Sequence, residues 1–456
     1  MQTSFSNLAI SKDMLSNLTK LNYTSMSAIQ EQSLPIALEN HDLIAKAKTG
    51  SGKTLAFCIP ILNKLDVKNF SIQAMILAPT RELANQIADE MKKLARFKHN
   101  IKVTTLCGGM PYKPQVHSLS HKAHIVIGTP GRILKHLSEE TFEITDINTL
   151  VLDEADRMLD MGFTEDINKI IDFLPKKRQT MLFSATYPHN IEELANDITN
   201  NAKIISVEQS ETKPDITQKF YQVDENLKDK TVHNIICEQQ KLSTIIFCNT
   251  KIACDNLSEA LDGYGVDTLV LHSDLDQKQR NETLILFSNK SFPILIATDV
   301  ASRGIDINDV DMVLNYDLPF DLEVFTHRIG RTARAGKSGL AISLVDDESY
   351  GTFKELNEDE EFTLLNIDDI KANEDFKIIA PYQTLFINSG KKHKLRAGDV
   401  LGALTAGIGL EKSDVGKINI LDLCSFVAIN HKVAKKTCDK LNDTKIKNKY
   451  HKIYLI

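Results

Sequence analysis

The feature that most constrains the fold is one segment, Ala47-Lys48-Thr49-Gly50-Ser51-Gly52-Lys53-Thr54. An apolar run precedes it at residues 43–45, and an apolar helical pattern follows it over residues 55–65. This order predicts a strand, a glycine-rich turn and a helix, which is the context of a phosphate-binding loop. The N–H groups of such a turn wrap a phosphate, and the helix dipole adds to the attraction. We expect Lys53 to reach the outer phosphates and Thr54 to bind Mg²⁺ through its hydroxyl.

Taken alone, this segment also fits a purely structural turn, and Ala47 replaces the usual first glycine of a phosphate-binding loop. A phosphate-binding function therefore needs support from catalytic residues elsewhere in the chain. Hydrolysis needs a carboxylate for Mg²⁺ and a group that orients the attacking water. Asp153 follows an apolar run and fits the first role, and its neighbour Glu154 fits the second. Arg331 and Arg334 lie three apart on a predicted helix and fit arginine fingers that face the leaving phosphates. The alternative interpretation of the two acids is the start of an ordinary loop. The alternative for the two arginines is pairing with acidic residues on the surface.

Apolar runs of strand type alternate with helical patterns in two stretches of the chain. The first stretch has predicted strands at residues 43–45, 74–78, 103–106, 125–127, 150–152 and 181–183, with an amphipathic helix at 81–96. After a polar segment at 208–215, the second has predicted strands at 244–247, 268–271, 294–297, 312–314 and 340–345. Continuous apolar strands separated by helices indicate parallel sheets covered on both faces. Ligands bind such sheets at the carboxyl ends of the strands.

The last part of the chain has a different pattern. It predicts the order β-α-β-β-α-β, with strands at 382–387, 417–421, 424–429 and 450–455 and helices at 398–406 and 431–441. From residue 376 onward there are 15 Lys and Arg against 6 Asp and Glu, whereas the rest has 39 against 55. A basic tail on an acidic body points to a polyanionic partner, and a solvated lysine-rich surface is the alternative. We therefore expect an α/β fold with domains at residues 1–208, 209–370 and 376–456.

Composition limits the class of protein and its expected cellular location. The chain is 42% hydrophobic and 25% charged, as is usual for globular proteins. No apolar run approaches the roughly 18 residues of a membrane-spanning helix, and the first residues lack the basic and apolar regions of a signal peptide. The seven cysteines show no CxxC spacing, so the sequence indicates neither a disulfide framework nor a zinc site. We expect no membrane association and a location in the reducing cytoplasm.

Asp153-Glu154-Ala155-Asp156 spells the signature of the DEAD-box RNA helicases, and the other family motifs follow in order. The resemblance covers about residues 1–365. It implies two RecA-like domains that close around ATP and a single RNA strand, with sequence-blind contacts to sugar and phosphate. The resemblance assigns adenine and nucleotide binding to Phe5, Tyr23, Gln30, Thr49, Gly50, Ser51, Gly52, Lys53, Thr54 and Asp306. It assigns catalysis to Lys53, Asp153, Glu154, Arg331 and Arg334, and Mg²⁺ binding to Thr54 and Asp153.

The same resemblance implies further roles. Coupling of hydrolysis to unwinding falls to Asp156, Ser184 and Thr186. RNA contacts in the helicase body fall to Pro79, Thr80, Arg81, Gly108, Gly109, Thr129, Pro130, Gly131, Arg132, Gln277, Arg280, Thr298 and Arg303. The chain departs from the family at residues 26–28, where Met-Ser-Ala replaces Pro-Thr-Pro, and at Ala333, where the family has glycine.

The tail resembles the RNA-recognition-motif domain of DbpA-type helicases, which bind a hairpin of large-subunit ribosomal RNA during ribosome assembly. Its basic loop supplies the expected RNA contacts Lys391, Lys392, Lys394 and Arg396. Phe386 and Phe426 fit either base stacking or core packing. The resemblance implies a monomeric ATP-dependent RNA helicase that acts on pre-ribosomal particles. Two alternatives remain open at the sequence level: an ATP-gated RNA clamp with little unwinding, and a DNA-directed helicase.

Overall fold

The computed structural model describes residues 3–47, 51–187, 189–207, 215–299, 307, 310–333, 338–359, 361–373 and 375–456. These residues form two compact units, one ending at residue 207 and the other beginning at residue 215. Across these ranges, no helix combines the length and the apolar character that crossing a membrane requires.

The first unit contains one parallel sheet. Its strands are β1 (Leu43–Lys46), β2 (Ala74–Leu77), β3 (Val103–Leu106), β4 (Ile125–Gly128), β5 (Thr149–Asp153), β6 (Gln179–Ser184) and β7 (Lys203–Ser206). They pair in the order β3-β4-β2-β5-β6-β1-β7, and each neighbouring pair is parallel. The α-helices are Lys12–Lys20, Ala28–Leu38, Lys53–Lys64, Arg81–Leu94, Tyr112–Ser120, Pro130–Ser138, Ala155–Asp160, Thr164–Phe173 and His189–Ile198.

Both faces of this sheet are covered. Successive side chains of a strand point to opposite faces, and the neighbours Ile76 and Leu77 of β2 pack into different hydrophobic cores. Phe183 and Leu182 of β6 divide between the same two cores. All four side chains are fully buried. The predicted parallel sheet between two helical layers is thereby confirmed.

The second unit begins with a sheet of the same kind. Its strands are β8 (Ile216–Gln222), β9 (Thr244–Phe247), β10 (Thr268–Leu271), β11 (Ile294–Ala297), β12 (Met312–Asn315), β13 (Gly339–Val345) and β14 (Leu364–Asn366). They pair in parallel in the order β10-β11-β9-β12-β13-β8-β14. Described α-helices are Lys228–Gln239, Lys251–Gly263, Gln277–Ser288, Leu322–Ile329 and Tyr350–Asp359.

The second unit ends in a four-stranded antiparallel sheet. Its strands are β15 (Tyr382–Ile387), β16 (Val415–Ile420), β17 (Ser425–Asn430) and β18 (Ile453–Leu455), in the order β16-β17-β15-β18. Helix Ala397–Gly402, which continues as a π-helical turn Ala403–Gly407, and helix His431–Asn442 complete it. This is the predicted β-α-β-β-α-β order, so the expected fold class is confirmed.

Some predicted boundaries were wrong. The last strand begins at Ile453 rather than Tyr450, because the chain is still turning there: Lys447 and Asn448 have positive φ, and Ile446 pairs with Lys449. The helix expected from residue 398 is α-helical only to Gly402. Strands β7, β8 and β14 were not predicted. Residues 203–206 of β7 are mostly exposed, so that strand lacks the continuous apolar run of its neighbours.

Candidate active site

The centre of the first unit lies at the carboxyl ends of three adjacent strands. The register places Ala45 of β1 opposite Phe183 of β6, and Phe183 opposite Asp153 of β5. The phosphate-binding loop follows β1, the acidic pair ends β5, and Ser184 ends β6. The parallel pairing therefore brings the three predicted segments together at one edge of the sheet.

Gly52 ends the loop in a conformation that requires glycine. Its φ of +92° is in the left-handed region, and an added Cβ would collide with the Gln30 side-chain amide. That amide donates to the Gly52 carbonyl over 3.0 Å, and the Ser27 hydroxyl donates to the Ser51 carbonyl over 2.7 Å. The Gln30 carbonyl in turn accepts from the Ser27 N–H. Gln30 thus fixes Gly52 at the end of the loop. The predicted residues Thr49 and Gly50 lie outside the described residues.

Lys53 is the most informative side chain of the site. It begins helix Lys53–Lys64, is only 6% exposed, and its ammonium has no hydrogen-bond partner among the described residues. Burying a charge without a partner is costly, so such a group calls for an anion. The N–H groups of the same helix start favour a negative ligand as well. The half-buried Thr54 follows directly, at the position predicted for Mg²⁺ binding.

Asp153 and Glu154 are both buried at the end of β5. Burial raises the pKa of Asp153 to about 6; the Lys53 ammonium opposes this shift, and the Glu154 carboxylate adds to it. Glu154 has a φ of +52°, and its Oε2 lies 3.6 Å from Arg157 Nε without a hydrogen bond. The two acids therefore keep unused acceptor capacity next to a buried cation, which fits metal and water binding at a phosphate site.

Asp156 connects the acidic segment to the end of β6. Its Oδ2 accepts from the N–H groups of Ala185 (3.0 Å) and Thr186 (2.9 Å) and from the Thr186 hydroxyl (3.1 Å). Its own N–H donates to the Ser184 hydroxyl over 3.3 Å. Burial acts to raise the pKa of Asp156, but the N–H groups of Thr186 and Arg157 prevail and lower it. The residues predicted to couple hydrolysis to unwinding are therefore hydrogen-bonded to one another.

The two aromatic side chains predicted to contact adenine both interact with other parts of the protein. Phe5 is 3% exposed and belongs to the hydrophobic core. The Tyr23 hydroxyl donates to Glu90 over 2.8 Å, and burial with this carboxylate raises its pKa to about 12.

The predicted RNA contacts of the first unit follow three adjacent strands. They are Pro79, Thr80, Arg81, Gly108, Gly109, Thr129, Pro130, Gly131 and Arg132. The Thr129 hydroxyl accepts from the Gly108 N–H over 3.2 Å. Gly109 has a φ of +65°, and an added Cβ would collide with the Arg81 guanidinium. The segments after β2, β3 and β4 thus interlock.

In the second unit, Gln277 and Arg280 begin helix Gln277–Ser288, and Thr298 follows β11. Arg331 is 7% exposed and its carbonyl accepts from the Val310 N–H. The predicted residues Arg303, Asp306 and Arg334 lie outside the described residues.

Ala333 occupies the position where the family has glycine. Its φ is +55°, in the left-handed region that favours glycine. The Thr332 hydroxyl donates to the Val310 carbonyl over 2.6 Å and fixes the preceding residue. Alanine at this position therefore carries a backbone cost that glycine would not.

Arg328 was not predicted as a site residue, although it lies three residues before Arg331. It is 1% exposed. Its Nε and Nη2 each donate to Asp299 over 2.7 Å, Nη2 donates to Asn249 Oδ1 over 2.8 Å, and Nη1 donates to the Asp317 carbonyl over 2.6 Å. A weaker bond of 3.3 Å reaches Asn315. Arg328 ties the ends of three strands together.

The basic loop after β15 is hydrogen-bonded to the turn between β16 and β17 at one end of the antiparallel sheet. The N–H groups of Lys391 and Lys392 donate to the Leu421 and Asp422 carbonyls over 2.8 and 2.9 Å. Leu395 is a buried anchor between the exposed residues Lys391, Lys392, Lys394 and Arg396. The backbone thus presents four cations to solvent from a fixed frame.

Comparison with known proteins assigns this architecture. Models of the DEAD/DEAH box helicase family, the helicase conserved C-terminal domain and the DbpA RNA binding domain match residues 27–194, 227–336 and 384–454. The ATP-dependent RNA helicase DbpA of Escherichia coli is 43% identical over 456 residues, which is 100% of both chains. The chain belongs to the DEAD-box RNA helicases. It is an RNA-dependent ATPase and helicase of the DbpA type.

Other relatives agree with this assignment. DbpA of Bacillus subtilis is 37% identical and matches over 98% of both chains. The structure of S. cerevisiae Dbp5 bound to RNA and ADP BeF3 matches with a TM-score of 0.72 and 32% identity, covering 80% of this chain and 96% of that one. Mss116p bound to ssRNA and AMP-PNP matches with a TM-score of 0.71 and 29% identity, covering 80% and 79%.

Proposed function

We propose that the helicase binds the ATP phosphates with the loop before Lys53 and with Lys53 itself. The observation that carries this proposal is the buried ammonium of Lys53, which has no hydrogen-bond partner among the described residues. Thr54 and Asp153 would hold Mg²⁺, which neutralises charge on the phosphates when it is bound. Glu154, beside Asp153, would orient the attacking water, and Arg331 and Arg334 would stabilise the transition-state charge. Gln30 would transmit adenine recognition to the loop that it holds.

The variant Glu154→Gln tests the catalytic assignment. It removes the charge of the water-orienting group and keeps its shape, so ATP and RNA binding should persist while turnover falls by about 10²–10⁴-fold. Glu165→Gln is the control, because Glu165 is an exposed acid at the start of a surface helix, where it pairs with Lys169. Turnover within a factor of about two of the unmodified helicase would remove Glu154 from the mechanism.

We propose that the interlocked segments after β2, β3 and β4, with Gln277, Arg280, Thr298 and Arg303, bind the sugar–phosphate backbone of RNA. Only the 2′-hydroxyl distinguishes RNA from DNA at such contacts. RNA should therefore stimulate the ATPase, and single-stranded DNA of the same sequence should not. Equal stimulation by both would favour a DNA-directed enzyme. Strand displacement measured beside the lifetime of bound RNA would separate a helicase from an ATP-gated clamp.

We further propose that the substrate is large-subunit ribosomal RNA in pre-ribosomal particles. The support is the fixed basic loop and the match of residues 384–454 to the DbpA RNA binding domain. Three functional domains, at residues 1–208, 209–370 and 376–456, would act in one monomer. All seven cysteines are free thiols, which fits a reducing cytoplasm.

A further inference from the structure

A row of polar side chains runs from the glycine segment, which we define as residues 107–110, into the interior of the first unit. The Gln115 amide donates to the Cys107 carbonyl over 3.0 Å. The Gln115 carbonyl lies 3.2 Å from His136 Nε2, and His136 Nδ1 lies 2.8 Å from the Thr141 hydroxyl. Gln115 is 9% exposed and His136 is 0% exposed, so loss of either side chain would leave a buried polar group without its partner.

The direction of each hydrogen bond in this row is fixed. Because the Gln115 amide nitrogen donates to Cys107, the oxygen of the same amide accepts, and His136 Nε2 must carry the proton. Burial, followed by the Arg132 guanidinium, lowers the pKa of His136 to about 4. The ring is therefore neutral at pH 7, and its Nδ1 accepts from the Thr141 hydroxyl. All three bonds thus donate toward the glycine segment.

Tyr112 fixes the plane of the same imidazole. Its ring stacks on His136 at a centroid distance of 4.5 Å and an interplanar angle of 29°. The Lys135 ammonium and the Arg132 guanidinium lie 4.7 and 5.6 Å from the centroid of the Tyr112 ring. The imidazole of His136 therefore has a defined plane as well as defined hydrogen bonds.

Two other hydrogen bonds hold the glycine segment through residues that are themselves predicted RNA contacts. The Gly108 N–H donates to the Thr129 hydroxyl over 3.2 Å. The Arg132 guanidinium donates to the Met110 carbonyl over 2.9 Å. A bound RNA strand would compete for the polar groups of Thr129 and Arg132. The buried row from Thr141 meets no such competition, so it can hold the segment both before and after RNA binds.

We propose that Gln115 and His136 are positioning residues for RNA binding, which hold the glycine segment in the conformation that presents Gly108 and Gly109 to the sugar–phosphate backbone. Neither side chain touches RNA. They act on RNA affinity, because a segment that is already ordered loses less conformational entropy on binding. This inference rests on the proposed RNA contact of the glycine segment.

Substitutions at the two positions test this role in the full-length helicase. His136→Leu keeps an apolar side chain of similar size and removes both ring nitrogens. His136→Gln retains a donor near the position of Nε2 and should restore the bond to Gln115. Gln115→Met, which removes the donation to Cys107, should give the same result as His136→Leu and replaces it if that variant does not fold.

His124→Leu is the matched control. His124 is also a buried histidine of the first unit, at 1% exposed, and its Nδ1 accepts from the Lys102 N–H over 3.1 Å. It precedes β4, at the opposite end of the sheet from the glycine segment. The control therefore reproduces the loss of a buried, hydrogen-bonded imidazole without altering the row.

Two measurements separate positioning from general destabilisation. In the RNA-free protein, the amides of residues 108–110 should exchange about 3–10-fold faster in His136→Leu, the equivalent of one hydrogen bond. In an ATPase titration with a single-stranded RNA homopolymer, the half-saturating RNA concentration should rise by about the same factor. The kcat at saturating RNA and the KM for ATP should stay within about twofold. His136→Gln and His124→Leu should match the unmodified helicase in both measurements.

Unchanged exchange of residues 108–110 in His136→Leu and Gln115→Met would overturn the positioning role, whatever the RNA titration shows. An equal rise of the half-saturating RNA concentration in His124→Leu would overturn it as well, because general destabilisation would then explain the effect. Faster exchange with an unchanged half-saturating RNA concentration would instead contradict the proposed RNA contact of the glycine segment.

Discussion

Removal of the Arg328 side chain should lower the free energy of unfolding of the second parallel-sheet domain by several kcal/mol, on the order of the cost of breaking a buried ion pair. Arg328→Ala deletes a fully buried cation that bonds Asp299, Asn249 and the Asp317 carbonyl. The Asp299 carboxylate, whose side chain is 23% exposed, then loses its bidentate partner. Breaking a buried ion pair by removing one partner costs about 3–5 kcal/mol.

The variant Arg328→Lys distinguishes the contribution of the positive charge from that of the planar guanidinium geometry. Lysine keeps the positive charge but lacks the planar guanidinium group. It therefore cannot donate hydrogen bonds to the Asp299 carboxylate, the Asn249 amide and the Asp317 carbonyl at the same time. Each acceptor left without a donor costs about 1–3 kcal/mol when it is buried. We therefore expect Arg328→Lys to lose a large part of the stability that Arg328→Ala loses, despite its unchanged charge.

Hydrogen exchange is the appropriate assay, because the chain contains no tryptophan. Exchange of the fully buried strand Met312–Asn315 should accelerate by about 10²–10⁴-fold in Arg328→Ala if the strand opens with its domain. Strand Ala74–Leu77 of the first unit should not change, and the exposed Glu355→Gln is the control substitution. A change below about fivefold in Met312–Asn315 would refute the structural role of Arg328.

Two further substitutions test the second unit. Ala333→Gly should raise the free energy of unfolding by about 0.5–1 kcal/mol in denaturant titration, because the left-handed strain exceeds the added chain entropy; no gain or a loss would contradict the φ of +55°. Burial acts to raise the pKa of Asp346, but the Lys228 ammonium, 2.5 Å away, and Ser349 prevail and lower it to about 2. The ionised form therefore stabilises the fold fully above pH 3.8, and this stability is lost as the pH falls through about 2. Asp346→Asn should cost about 2 kcal/mol at pH 7, and a difference that persists at pH 2 would contradict the assignment.

The sequence predicted the parallel sheets well, because they depend on local patterns. Apolar runs such as 244–247 and 294–297 coincide with strands. Lys53 begins the helix that follows β1, and Asp153 ends β5, with β6 between these two strands. The short strand β14 was missed because its three residues are only partly buried.

Other features depend on distant parts of the chain and have no local signal. Arg328 is buried by partners that lie 11 to 79 residues away in sequence. Phe426 fitted core packing and base stacking equally; it is fully buried, and it packs edge-on against Phe386 of the neighbouring strand.

We propose that the basic loop of the C-terminal domain directs this helicase to its RNA. The direct test replaces Lys391, Lys392, Lys394 and Arg396 with glutamine in the full chain. The matched control replaces Lys432, Lys435, Lys436 and Lys440, four exposed lysines of helix His431–Asn442, in the same way.

The measurement is the salt dependence of binding to a large-subunit ribosomal RNA transcript and to an unrelated structured RNA. Each phosphate contact contributes about 0.7–0.9 to the salt slope, so loss of the loop should flatten it by about 3 and abolish the preference for the ribosomal transcript. RNA-stimulated ATPase activity should persist. If the loop variant keeps both slope and preference, or if the helix control loses them equally, the basic loop does not select the RNA.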